Sequence, residues 1–284
     1  MKFNKRFILI IILIVIFLFL FIHNYAKISN ESFQSQKQKY DCVISINIHE
    51  KFDFLIKQLD NIKNNVLCNY CVILNCNDIM FNECKKNTLE SNIIINPIIL
   101  NKRRNHGSLT EGIYNNMVFA LENINFNYFL VMSSRNMFQF KLNMQNLHDL
   151  TPYPDGIDKN DYAGILDTNN LEKLDWHWPK FINTELSKYY ISQKQTLYSS
   201  PHEGLCFPIN TCKNIVSFLQ NYPEISKNLF NFESCVEEYA LQTIAMNNND
   251  IFYYIGNGCC TEELIPIDQN ETKIKKYIYK VKRE

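Results

Sequence analysis

Two adjacent carboxylates, Glu237 and Glu238, are the residues of this chain best suited to acid–base chemistry. They follow Ser234, and Ser234-Cys-Val-Glu237 has the Ser-x-x-Glu spacing of a capping box, which predicts a helix running through about Met246. Glu237 then stands at the third helical position, where its carboxylate reaches back to cap the backbone. Glu238 points elsewhere, on the side of Gln242, and a helix N-terminus favours its ionised form. An ionised carboxylate in a cleft is a candidate general base. The competing reading is an ordinary first-turn glutamate.

Other chemistries lack their motifs. The chain has no G-x-G-x-x-G, no Walker loop, no G-x-S-x-G elbow and no H-E-x-x-H. No Asp-x-Asp pair ends a strand; the turn where such a pair would hold a divalent metal reads Ser133-Ser-Arg-Asn136, a poor site for a hard cation. Cys68, Cys71, Cys76 and Cys84 have spacings open to a zinc reading, but Cys71 and Cys76 flank an apolar run that reads as a strand. Disulfides or buried thiols are the other reading of the 10 cysteines. Lys plus Arg equals Asp plus Glu at 29 each, so there is no basic footprint for nucleic acid.

The elements that must position these groups alternate. Cys42–Ile48 is β-branched and reads as a strand. Phe52, Leu55, Leu59 and Ile62 mark a helix face. Tyr70–Asn75, Ile93–Leu100 and Tyr128–Met132 read as further strands. Ser108-Leu-Thr-Glu111 is another capping box, opening a helix with Leu109, Ile113, Met117 and Leu121 on one side. Residues 142–200 are less regular and contain Asp175-Trp-His-Trp-Pro179. Regular structure resumes at Gly204–Ile209, with a helix over Lys213–Gln220 and a strand over Ile251–Ile255. This alternation predicts an α/β fold, a mostly parallel central sheet with helices on both faces. Ligands in such sheets sit at the carboxyl ends of strands, here His49, Asn75 and the Ser133–Asn136 turn.

The N-terminus predicts a membrane anchor. Phe7–Ile22 contains no polar residue and nearly reaches the about 20 residues a bilayer core needs. Lys2, Lys5 and Arg6 precede it, which keeps the N-terminus cytosolic by the positive-inside rule. The predicted plan is a tail (1–6), a signal-anchor (7–22), a polar stem (23–39) and a globular domain (40–284). A cleaved signal peptide is the alternative, although His23-Asn24-Tyr25-Ala26 is a poor cleavage site. A luminal domain would let cysteines pair and make Asn30-Glu-Ser32 and Asn270-Glu-Thr272 usable for glycosylation.

Three ordered segments carry a family resemblance. They are Ser45–Lys51 with Tyr70–Asn75; His106-Gly-Ser108 with Tyr128–Asn136; and Gly204–Phe207 with Glu237-Glu-Tyr-Ala-Leu-Gln-Thr243. Together they resemble the core-2/I-branching glycosyltransferases, the group that includes β-1,6-N-acetylglucosaminyltransferases and protein O-xylosyltransferases. The resemblance implies a GT-A-like fold and inverting, metal-independent transfer from a UDP-sugar to a glycan or protein acceptor. It implies Glu238 as the base, and His49, Asn75 and Asn136 at donor positions. It assigns Lys280, Lys282 and Arg283 to the diphosphate, with no metal or other cofactor. Trp176 and Trp178 are candidates for stacking on an acceptor sugar. Asn75 and Asn136 stand where the family has acids, and His106 about where it has tryptophan. Those departures keep open a non-catalytic glycosyltransferase-like protein that binds a glycan or a partner. The implied location is the Golgi or endoplasmic reticulum, as a single-pass type II membrane protein.

Overall fold

The computed structural model describes residues 39–49, 51–143, 147, 149–153, 164–166, 178–256 and 277–281. The signal-anchor, both sequons, Cys259, Cys260, Trp176, Lys282 and Arg283 lie outside them. Among the described residues, no helix is long and apolar enough to cross a membrane. Tyr40–Glu284 belongs to one compact unit.

The first half runs β1 (Lys39–Ile48), α1 (Phe52–Asn65), β2 (Tyr70–Cys76), α2 (Asp78–Lys86), β3 (Ile93–Ile95), α3 (Ser108–Asn123), β4 (Asn125–Ser133) and β5 (Asn136–Phe138). The second half adds β6 (Gly164–Ile165), α4 (Trp178–Phe181), α5 (Glu185–Ser192), β7 (Tyr198–Ser199), β8 (Leu205–Pro208), α6 (Ile209–Asn221) and α7 (Pro223–Phe230). It closes with α8 (Ala240–Asn247), β9 (Tyr253–Tyr254) and β10 (Ile278–Lys280). The fold is α/β, with a mostly parallel, six-stranded central sheet in the order β3-β2-β1-β4-β8-β9. β1, β2 and β3 pair in parallel, while β8 and β9 add an antiparallel edge beside β4.

Period-two alternation divides the apolar side chains between two cores. Val43, Cys71, Ile73 and Val131 pack with α3, α6, α7 and α8 on one face. Cys42, Ile44, Ile46, Val72 and Leu74 pack with α1 and α2 on the other. Both faces of β1 and β2 are therefore covered, which explains their near-continuous apolar runs. The same alternation sends Cys71 and Cys76 to opposite faces, so the Cys68–Cys84 cluster does not converge on a metal. Cys42, Cys68, Cys71, Cys76, Cys84, Cys206 and Cys212 are free thiols.

Three predicted elements differ. β3 ends at Ile95 rather than Leu100: after Asn96 N–H donates to the Leu74 carbonyl, the Ile98 N–H turns back to Asn96 Oδ1 at 3.0 Å instead of continuing the ladder. The α3 stripe is Ile113, Met117 and Ala120, with Leu109 and Leu121 half-buried at its margins. Its cap also differs: His106 Nδ1 accepts the Ser108 N–H at 3.0 Å, while Ser108 Oγ accepts the Arg103 N–H at 2.9 Å.

The third difference lies at the carboxylates. Ser234 does not cap one long helix. A 3₁₀ turn, Val236–Glu238, is separated from α8 by Tyr239, at φ −151° and ψ −20°. The Glu238 carbonyl accepts the Ser200 N–H at 2.8 Å, and the Glu237 carbonyl accepts Gln242 Nε2 at 3.2 Å. These carbonyls are drawn sideways instead of into a helix ladder.

Gly204 fixes the start of β8. Its φ is +99°, and an added Cβ would lie 2.4 Å from the Gly256 nitrogen. Gly204→Ala is expected to lower stability by at least about 2 kcal/mol through backbone strain and that clash. A urea titration that left the unfolding midpoint unchanged would contradict this packing.

Candidate functional site

The carboxyl edge of the sheet brings together residues far apart in sequence. β1 ends at His49, whose exposed ring lies 3.2 Å (Nε2) from Ser134 Oγ in the turn after β4. That turn is held from both sides. Asn136 Oδ1 accepts the Ser133 N–H at 2.6 Å, and Gln58 Nε2 of α1 donates to the Ser133 and Asn136 carbonyls at 2.8 Å each. β10 lies alongside, Lys280 opposite Asn136 in the β5–β10 register.

Lys280 meets Glu203, which precedes β8. Lys280 Nζ is 2.5 Å from Glu203 Oε1, and His202 Nδ1 is 3.2 Å from Glu203 Oε2. Glu203 is 3% exposed. Burial alone would push its carboxyl up, but His202 and the Lys280 ammonium outweigh burial and hold it down at about 2. His202 is lowered, chiefly by burial and also by Lys280 and His49, against the pull of Glu203.

The Val236–Glu238 turn stands beside this pair. Glu237 is buried, and burial followed by the charge on Glu238 pushes its carboxyl well above the usual range. Glu203 pushes it the same way and Lys280 opposes. Of the two adjacent carboxyls, Glu237 is thus the one whose surroundings favour the protonated form. Glu238 is 8% exposed and is the carboxylate of the pair left for a base.

A second polar cluster lies at the carboxyl ends of β1 and β2, under α3. Asn75 is fully buried; its Nδ2 donates to the Ile98 carbonyl at 3.1 Å, and its Oδ1 has no hydrogen-bond partner. Asn47 Oδ1 is likewise without one. Lys102 Nζ donates to the Asn75 carbonyl at 2.9 Å and the Leu100 carbonyl at 3.2 Å. Burial lowers its amine to about 8, with Cys76 and Glu111 pulling the other way.

The structure thus sorts the residues expected from sequence. His49, Lys280 and Glu238 lie at the carboxyl edge or its adjoining turn. Asn75 and Asn136 also lie there, but both point inward and make structural hydrogen bonds. Trp178 is described only as the first residue of α4. Glu203, His202 and Gln58 are not marked by any motif. Gln58 carries a retrospective signal, a polar residue inside the Leu55, Leu59 and Ile62 stripe. Among the described residues, no group of three or more His, Cys, Asp or Glu side chains could hold a metal ion.

No protein-family model matches the chain, and no curated protein matches it.

Glu237 generates a pH prediction. Its folded pKa is raised from 4.5, so its stabilising contribution is present below about pH 4.5 and is lost as pH rises towards the folded value. Glu237→Gln resembles the neutral acid and has no such loss. Its stability relative to wild type should rise steadily with pH above 4.5, measured by urea midpoints. A difference that stays constant with pH would contradict a raised Glu237.

Proposed function

We propose that the chain is an inverting, metal-independent glycosyltransferase with a GT-A-like fold. It moves N-acetylglucosamine or a similar sugar from UDP to a glycan or protein acceptor. The observation carrying this reading is the Val236–Glu238 turn, where Glu238 adjoins a Glu237 whose carboxyl is pushed up and which feels the charge of a Lys280 ammonium anchored to Glu203. In the reaction, Glu238 takes the proton of an acceptor hydroxyl as that oxygen bonds to the anomeric carbon. The bond from that carbon to the diphosphate oxygen breaks, and UDP departs with the electron pair. The leaving charge is met by basic side chains, Lys280 with Lys282 and Arg283, rather than by a metal on the carboxylate-free Ser133–Asn136 turn. His49 is the candidate donor contact, and Trp176 and Trp178 are candidates for the acceptor. The same reading places the chain in a Golgi or endoplasmic reticulum membrane through residues 7–22, with the catalytic domain luminal.

A non-catalytic glycan- or partner-binding role is the second reading. The inward-facing amides of Asn75 and Asn136 favour it, since neither presents a charge to a ligand. Glu238→Gln separates the two. Transfer is expected to fall by at least about a thousandfold while UDP binding persists. Near wild-type transfer would remove Glu238 as the base. Activity should also survive excess chelator, and strict dependence on an added divalent metal would refute metal-independent transfer.

A further inference from the structure

We infer that Glu203 is a positioning residue, which from inside the carboxyl edge holds the Lys280 ammonium where an anionic diphosphate meets it. The identity of the anion rests on the sugar-transfer reading; the geometry of the pair does not.

Glu203 is fixed through its own backbone surroundings. Gly204 N–H donates to the Val131 carbonyl at 2.8 Å, and the Gly204 carbonyl accepts the Ile255 N–H at 2.9 Å. The Glu203 carbonyl packs so closely on Gly256 that a Cβ there would lie 2.1 Å from it. The carboxylate is thus held by a left-handed glycine on one side and a close backbone contact on the other.

Lys280 is the solvent-facing member. Its side chain is 24% exposed, against 4% for Glu203. Its backbone is held by β5, and Val281 N–H donates to the Arg135 carbonyl at 2.9 Å. A lysine stem has four flexible carbons, so pairing only its backbone would leave the charge unplaced. Glu203 fixes the other end. Buried ion pairs are often no more stabilising than apolar replacements, because desolvation offsets attraction. Placement of the ammonium gives this pair a role that stability alone does not.

Glu203→Asp tests this at constant charge, because it withdraws the carboxylate by roughly 1.5 Å, one carbon–carbon bond. The full chain, wild type and variant, would be titrated calorimetrically with UDP, uridine and inorganic pyrophosphate, and thermally melted. The expected result is a melting temperature close to wild type, unchanged uridine affinity, and UDP and pyrophosphate affinities weakened about tenfold or more. A purely structural pair would not distinguish the two anions from uridine. If neither protein binds UDP but pyrophosphate weakens as expected, the Glu203 assignment stands and the transfer reading falls. If the variant binds UDP and pyrophosphate as tightly as wild type, the positioning role is overturned while transfer is untouched. Failure of wild type to bind either anion also overturns it. Should Glu203→Asp not fold, Lys280→Met, which leaves Glu203 in place, must show the same anion-selective loss. Wild-type anion affinity in that variant overturns the inference.

Discussion

A carboxylate placed inside a protein must find charge or lose its own, and Glu203 has found Lys280. Much of the site's arrangement follows from that requirement. Glu203 precedes the antiparallel strand β8, and Lys280 lies on β10, 77 residues later. Their pairing joins the end of the described chain to the sheet edge where β1 and β4 finish. Gly204 and Gly256 allow the close backbone approach that this needs.

The neighbouring carboxylates take the opposite solution. Glu237 Oε2 is buried without a hydrogen-bond partner and its carboxyl is pushed towards the protonated form, while Glu238 lies at the less buried end of the turn. One cluster thus contains a locked carboxylate, a carboxyl pushed towards its acid form and a candidate base, differing only in surroundings. The apolar cores on the two sheet faces hold the frame: each fully buried Ile or Leu contributes about 2 kcal/mol. A buried ion pair contributes little net stability by comparison. The chemistry at the edge is a question of placement on a frame that packing secures.

The frame was legible because its signal is periodic. β1, α1 and β2 follow from apolar spacing, and covering both faces of the sheet requires the helices found there. Local breaks were harder to read. The Asn96 side chain took the Ile98 N–H and shortened β3, and the Ser234 capping pattern was overridden by Tyr239 and by carbonyl contacts to Ser200 and Gln242. The site was legible only in part. Strand ends nominate His49 and Asn75, but not the direction in which each side chain points. Asn75 has the same parity as Cys71 and Ile73, and that parity carries it inward under α3. Glu203 sits in Ser200-Pro-His-Glu-Gly204, which has no periodicity, and its partner is supplied by tertiary structure alone.

Under the proposed function, this edge activates a nucleotide sugar without a metal. The most direct measurement incubates the full chain with a panel of UDP-sugars in excess chelator and follows UDP release. Release from at least one donor in chelator is predicted. No release from any donor, with or without added divalent metal, would contradict the claim.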